Sequence, residues 1–336
     1  MANWRIQIEY NTLLSPQVGL CGISFHFKTR LIKRSTVKYS YKLHRSFSSN
    51  TVIWLRQALL SDVTLSKFFS RQTGLKTLAD NSYKAINQGL YNVDKYDYGS
   101  HSVISLKKVI LSCSHIPIIS EIKFASPSKG RILDQSKIDP KDLAIMMTNS
   151  GSVGISVVTQ PYLFDGSIDN LASIRKSVTV PLLMKDIIVS EVQIDSAKRI
   201  GADCILLIKS VFDKGFSEGS LEKFSDYAMK KGLDVITEVH SEDEFGEVMR
   251  NKGQLIGINN RNLNTLEVDI NVTITLLQNF DKQNNIIISE SGISRSDEIS
   301  KLKSIGVDAF LVGTSIMESE NVIEKIKELC HAQNIM

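Results

Sequence analysis

Glu121 and Lys123 stand two residues apart at the end of the apolar run Ile118-Ile-Ser-Glu-Ile. Alternate side chains of a strand share a face, so this acid and this base point the same way. A buried Glu or Lys without a partner is costly, and a chain that sets both on one buried face has a use for them. Similar endings recur downstream. Lys185 closes Val180-Pro-Leu-Leu-Met-Lys, Glu238 closes Asp234-Val-Ile-Thr-Glu, and Asn259 and Arg261 end the run that begins at Ile256, again two apart. Ser289-Glu290-Ser291-Gly292 and Val312-Gly313-Thr314 end two more runs. Two lysines, two or three carboxylates, an arginine and an asparagine are the equipment of acid–base chemistry without a metal. Gly292, Gly313 and Thr314, with the Ser291 hydroxyl nearby, would let a phosphate approach backbone N–H groups.

Taken singly, each of these residues has an ordinary structural account. A lysine after an apolar run snorkels to water, Asn-Asn-Arg-Asn makes a turn, and Glu-Ser-Gly punctuates a strand-to-helix junction. His240 reads as a loop or supporting residue, and Asp186 as a turn or ion-pair residue. Convergence on one mouth is what gives the set chemical meaning, and only particular elements can produce it.

From Ile116 onward, short apolar runs alternate with amphipathic stretches of ten to fifteen residues. Strands are expected at 118–122, 154–159, 180–184, 203–208, 234–238, 255–259, 285–289 and 308–312. Helical periodicity falls near 139–150, 167–177, 190–200, 218–231, 241–251, 270–280, 294–304 and 320–330, with Ser190 and Ser241 placed as N-caps. Gly201, Gly232 and Gly306 sit where left-handed C-caps belong. Eight strand–helix units match a (β/α)8 TIM barrel, whose active site lies at the C-terminal strand ends. A doubly wound open sheet is the alternative, weakened because no Gly-x-Gly-x-x-Gly follows the first strand. After that strand, Ser126-Pro127-Ser-Lys-Gly130 cannot continue it and reads as a loop able to close over a substrate.

The chain of 336 residues carries a net charge of +4 that conceals an asymmetry. Residues 1–115 hold sixteen Lys/Arg against five Asp/Glu, and the remainder twenty-four against thirty-one. Residues 11–61 contain no acid, eight Lys/Arg and eight Ser. That composition suits an unstructured extension, an organellar targeting peptide or a nucleic-acid-binding arm, although aromatics and glycines are not arranged for stacking. Residues 1–62 are therefore expected to form a poorly ordered basic extension. A helical N-terminal segment, 63–115, would pack on a barrel of residues 116–336, with a short helix at 103–111. No stretch approaches eighteen uncharged apolar residues, so no membrane span is expected. Cys21, Cys113, Cys204 and Cys330 lie far apart, which argues against a zinc site or disulfide framework and suits a reducing, cytoplasmic compartment.

The ordered motifs Ser120-Glu-Ile-Lys-Phe-Ala-Ser-Pro-Ser-Lys-Gly130, Phe164-Asp-Gly-Ser167, Leu183-Met-Lys-Asp186, Thr237-Glu-Val-His240, Ile256-Gly-Ile-Asn-Asn-Arg-Asn-Leu263, Ser289-Glu-Ser-Gly-Ile293 and Leu311-Val-Gly-Thr-Ser315 resemble the indole-3-glycerol-phosphate synthase family. The resemblance covers about residues 100–330. It implies conversion of 1-(2-carboxyphenylamino)-1-deoxyribulose 5-phosphate to indole-3-glycerol phosphate in tryptophan biosynthesis, with loss of carbon dioxide and water and no cofactor. By resemblance Lys185 is the general acid and Glu238 transfers protons at the reacting centre. Lys123 holds the carboxylate or phosphate region, oriented by Glu121, while Asn259 and Arg261 position the developing charge. Ser126, Pro127, Phe164, Leu206, Glu290 and Ser291 would line the substrate; Lys123, Gly292, Gly313 and Thr314 would hold its phosphate. Nearby cations would lower the Lys185 pKa. Phe124 and Ile187 depart from the family's usual basic and aromatic residues, which puts pocket shape and affinity in question. The partners expected are the phosphorylated small substrate and other tryptophan-pathway enzymes, not nucleic acid or membrane. The alternatives are another phosphate-binding barrel, such as phosphoribosylanthranilate isomerase, a Schiff-base lysine synthase, or a non-catalytic scaffold.

Overall fold

The computed structural model describes residues 6–11, 24–29, 74–94, 101–134, 138–250 and 253–332. The chain divides into two units, Met1–Thr64 and Leu65–Met336. In the first, Ile6–Asn11 pairs antiparallel with Ser24–Thr29. The expectation of a poorly ordered extension otherwise falls outside the described residues.

In the second unit, eight buried strands pair in parallel and close on themselves. They are β1 (Ile118–Ile122), β2 (Gly154–Val158), β3 (Leu182–Lys185), β4 (Cys204–Ile208), β5 (Asp234–Val239), β6 (Leu255–Asn259), β7 (Ile286–Glu290) and β8 (Ala309–Val312). Closure comes from β8 pairing with β1, Phe310 beside Ile118 and Val312 beside Ser120. The expected TIM barrel is therefore present, and each expected strand is found to within two residues. Unbroken Ile, Leu and Val runs make this possible, since a strand inside a barrel is buried on both faces.

Helices follow the strands where the periodicity places them, from Pro140–Asn149 to Val322–Cys330. Ser190 and Ser241 cap Glu191–Arg199 and Glu242–Val248, each in a reciprocal capping box with Gln193 or Glu244. The three expected cap glycines all have positive φ. Phe224 and Phe245, both 0% exposed, anchor two helices against the barrel. Truncating such a side chain to alanine would cost about 3–5 kcal/mol. Three short elements have no counterpart in the periodicity: the helices Lys209–Asp213 and Thr314–Met317, and a hairpin pairing Ala125–Ser126 with Gly130–Arg131.

The segment ahead of the barrel forms the helices Leu75–Asn87 and Leu106–Ser112. It grips the barrel at both ends. Near the mouth, Gln160 bonds Ser82 at 3.1 Å, and the Lys84 ammonium lies 4.2 Å from the Tyr162 ring centroid. At the opposite end, the Asp203 carboxylate before β4 accepts from His101 Nε2, Ile104 N, Arg175 Nη1 and Leu182 N at 2.7–2.8 Å. Asp234, before β5, accepts from Ser105 Oγ at 2.9 Å and Lys107 N at 3.2 Å. The barrel is thus fixed at its base, which leaves the other end to carry the site. No helix among the described residues is long and apolar enough to cross a membrane.

Candidate active site

Each strand that ends in a polar residue delivers it to the C-terminal mouth. Lys185 is the last residue of β3, and its ammonium lies 3.2 Å from Glu238 Oε2 on β5 and 3.1 Å from Glu290 Oε2 on β7. Glu238 Oε1 in turn accepts from Asn259 Nδ2 on β6 at 2.9 Å. Lys123, just past β1, pairs with Glu121 at 2.8 Å. Four carboxylates and amides, each at most 5% exposed, thus surround one ammonium and stand beside a second.

Two glycines make room for this. A Cβ on Gly257 would lie 2.3 Å from Glu290 Oε1 and 3.0 Å from Ile236. One on Gly313 would lie 2.6 Å from Glu121 Oε1 and 3.1 Å from Lys123 Nζ. Any larger residue at 257 would push Glu290 off the lysine. At 313 it would press on Glu121 and on the Lys123 ammonium paired with it.

The electrostatics correct one expectation. Burial alone would lower the Lys185 pKa, but Glu290, Glu238 and Glu121 outweigh it and raise the value. Lys185 has anions around it, not cations, and is held charged. Burial would likewise raise Glu121, yet Lys123, Lys185 and Arg261 together hold its carboxyl below the ordinary value. Glu290 goes the other way. Burial, helped by the nearby Glu238 charge and only partly offset by Lys185, pushes it up to about 7. Its Oε1 has no hydrogen-bond partner among the described residues. Glu238 and Glu290 share the one Lys185 ammonium and cannot both ionise at low cost, and the more deeply placed Glu290 keeps a proton up to neutral pH.

Around this centre the loops are tied to one another. The backbone N–H of Arg261 donates to Asn259 Oδ1 at 2.9 Å, and its Nη1 donates to Leu266 O at 2.9 Å and to Ser128 Oγ at 3.4 Å. Asn260, fully buried on the opposite face of the strand end, donates to Ser289 Oγ and Ser291 O, both at 3.1 Å. In the first loop Ser126 Oγ accepts from Lys129 N, Pro127 is buried, and Ala125 N donates to Phe164 O at 3.2 Å. Phe164 is half-buried beside this loop, whereas Leu206 is 1% exposed in the middle of β4. Phe124 and Ile187, the two departures, are both buried apolar contacts at 2% and 8% exposure. Ser291 and Gly292 both have positive φ, and Thr314 opens the short helix after Gly313.

His240 bonds the Asn259 carbonyl through Nδ1 at 2.7 Å and supports the strand end. Asp186 lies in the turn where it was expected, and its described hydrogen-bond partners are neutral donors, Tyr91, Thr159, Gln193 and the Ile187 N–H, in place of an ion pair. Ser128, Asn260 and Tyr91 escaped notice in the sequence. Asn260 could have been found as the outward-facing partner of Asn259 and Arg261. Tyr91 had no local signal, because its partner is 95 residues away. Among the described residues no group of three His, Cys, Asp or Glu is placed to hold a metal.

The arrangement can donate a proton from a buried ammonium, take one on a neighbouring carboxylate and hold an anion nearby. Comparison with known proteins narrows this. The sequence model of the indole-3-glycerol phosphate synthase family matches residues 80–329. The indole-3-glycerol phosphate synthase of Oceanobacillus iheyensis is 41% identical over 234 residues, covering 68% of this chain and 86% of that protein. That of Aquifex aeolicus is 42% identical over 224 residues, covering 66% and 84%. That of Methanocaldococcus jannaschii is 40% identical over 227 residues, covering 67% and 82%.

Proposed function

The chain belongs to the indole-3-glycerol phosphate synthase family, and from that premise we propose how its residues close an indole ring. The substrate is 1-(2-carboxyphenylamino)-1-deoxyribulose 5-phosphate. The ring carbon bearing the carboxylate attacks the ketone carbon, and the ketone oxygen takes a proton. The bond to carbon dioxide then breaks, and its electron pair restores the aromatic ring. The new hydroxyl leaves as water while the carbon next to nitrogen loses a proton, giving indole-3-glycerol phosphate.

Lys185 is the acid of the first step. Its raised pKa is no obstacle, because the alkoxide forming at the ketone is a stronger base than lysine. Glu290, 3.1 Å away and half-protonated near neutral pH, resupplies the ammonium. Glu238, oriented by Asn259, serves proton transfer at the ring-closing and dehydration centre. Lys123, held by Glu121, binds the carboxylate or phosphate region and assists proton transfer, with Arg261 positioning charge. Gly292, Gly313 and Thr314 hold the phosphate, and Ser126, Pro127, Phe164, Leu206 and Ser291 shape the rest of the pocket. Removal of a positioned acid costs ~10²–10⁴-fold in rate.

The observation that carries this reading is the Lys185 ammonium set between Glu238 and Glu290 at 3.2 and 3.1 Å. It also counts against a Schiff-base lysine, which must be neutral to attack a carbonyl. A Cys/Asp isomerase site is disfavoured because none of the described cysteines stands at the C-terminal end of a strand: Cys113 precedes β1, Cys204 begins β4 and Cys330 ends the last helix. The direct test is turnover of purified protein followed by indole fluorescence, with no cofactor or metal added. Absence of product, or abolition by EDTA, would overturn the proposal. Residues 116–336 are the catalytic barrel and 63–115 its packing segment, so deleting residues 1–60 leaves turnover intact. The setting is the cytoplasm, beside other enzymes of tryptophan synthesis, which cell fractionation and co-purification would check.

A further inference from the structure

The residue after Lys185 carries a buried carboxylate that the ring-closing steps do not use. Asp186 is 2% exposed, and its described hydrogen-bond partners include no lysine, arginine or histidine. Its Oδ2 accepts the Tyr91 hydroxyl at 2.7 Å and the Thr159 hydroxyl at 2.5 Å. Its Oδ1 accepts the Ile187 N–H at 2.7 Å and Gln193 Nε2 at 3.4 Å. Thr159 also donates its backbone N–H to the Lys185 carbonyl at 3.1 Å, so one residue grips both 185 and 186. Gln193 accepts from Val189 N at 2.9 Å and donates to Ile187 O at 3.0 Å, tying down the rest of the turn.

Neutral donors offset only part of the cost of burying a carboxylate, and burial pushes this one up to about 6. Charge pairing does not explain its presence; geometry does. We propose that Tyr91, Asp186 and Thr159 are positioning residues that clamp Lys185, so that the segment ahead of the barrel sets the place of the acid. Lys185 must reach Glu238 and Glu290 at once, at 3.2 and 3.1 Å. Loss of one donor lets the 185–186 peptide rotate and carries the ammonium off one of them. A displacement of about 1 Å costs on the order of a hundredfold in rate, and a relaxed clamp about a tenth of that. The clamp rests on the reading of Lys185 as the acid.

Steady-state turnover of the full chain tests it, with Tyr91→Phe beside Lys185→Ala and Tyr227→Phe. Tyr227 is the control, its hydroxyl donating to an aspartate, Asp195, at 2.9 Å between two outer helices. Tyr91→Phe is expected to lower kcat about tenfold with KM changed less than about twofold. Tyr227→Phe is expected to leave kcat unchanged. Thr159→Ser, which keeps the hydroxyl, holds kcat within about twofold of the parent, whereas Thr159→Val falls with Tyr91→Phe. Parental kcat in Tyr91→Phe and Thr159→Val, or equal falls in both tyrosine variants, would overturn the clamp. Normal turnover by Lys185→Ala would instead remove the acid assignment on which it rests. Collapse of Lys185→Ala beside an unaffected Tyr91→Phe sinks the clamp alone.

Discussion

At the N-terminal end of the barrel, Asp203 is 0% exposed and each of its oxygens takes two fixed donors. At the mouth, Glu290 is just as deeply buried at 1%, yet one of its oxygens has no partner among the described residues and the other shares Lys185 with Glu238. The base repeats its device: Asp308 before β8 accepts from Ile287 N at 2.8 Å and Lys282 at 2.7 Å, as Asp203 does from Leu182 N and Arg175. Saturated carboxylates hold strands in register and have nothing left to offer a substrate. Undersatisfied ones cost stability and hold a proton up to higher pH. Burial alone therefore does not distinguish the two acids; the count of donors does.

The contrast can be broken most forcefully at its centre. Lys185→Ala is expected to lose ~10²–10⁴-fold in kcat per folded molecule while still binding substrate. Near-parental turnover would show that the mouth is not where the acid sits. At the other end, Asp203→Ala should cost about 3–5 kcal/mol in denaturant unfolding, because it strands the buried Arg175, yet leave kcat per folded molecule unchanged. A large fall in kcat there would erase the division between the ends.

A pH series sharpens the same comparison. The Glu290 carboxyl is pushed up from the ordinary 4.5 to about 7, so the folded state binds its proton more tightly than the unfolded chain. Its contribution to stability is full below about pH 4.5 and is lost as pH rises through about 7. Glu290→Gln removes that loss, and the unfolding free energy should vary less across about pH 5–8 than in the parent. Parallel curves would mean Glu290 is not held protonated. The smallest effect belongs to Lys129→Ala, which breaks an ion pair to Glu318 whose side chains are 49% and 41% exposed. It should move stability by no more than about 0.5 kcal/mol.

Strand positions were legible in the sequence because buried strands are unbroken apolar runs, and the convergence of the candidate site was legible because its residues end those runs. Glu121, Lys185, Glu238 and Asn259 needed only the rule that strand ends share a mouth. What a sequence cannot convey is who faces whom across the barrel. Glu290 could be assigned to the substrate pocket, but not seen to compete with Glu238 for Lys185. For the same reason the direction of the Lys185 pKa came out reversed, since it depends on three carboxylates drawn from three other strands. The four- and five-residue helices Thr314–Met317 and Lys209–Asp213 are too short for periodicity to register.

The pairing that closes the barrel, Phe310 beside Ile118, joins positions 192 residues apart (310 minus 118). Until β8 has been synthesised, one edge of β1 has no neighbour to bond. At translation rates of about 5–20 residues per second that interval lasts roughly 10–40 s. Through it Ile118 and Ile119 present an open, apolar strand edge of the kind that invites pairing with other chains. A nascent or truncated chain ending before Ala309 would already contain Lys185, Glu238 and Glu290. It would still lack the last strand that turns a curved sheet into a closed vessel around them.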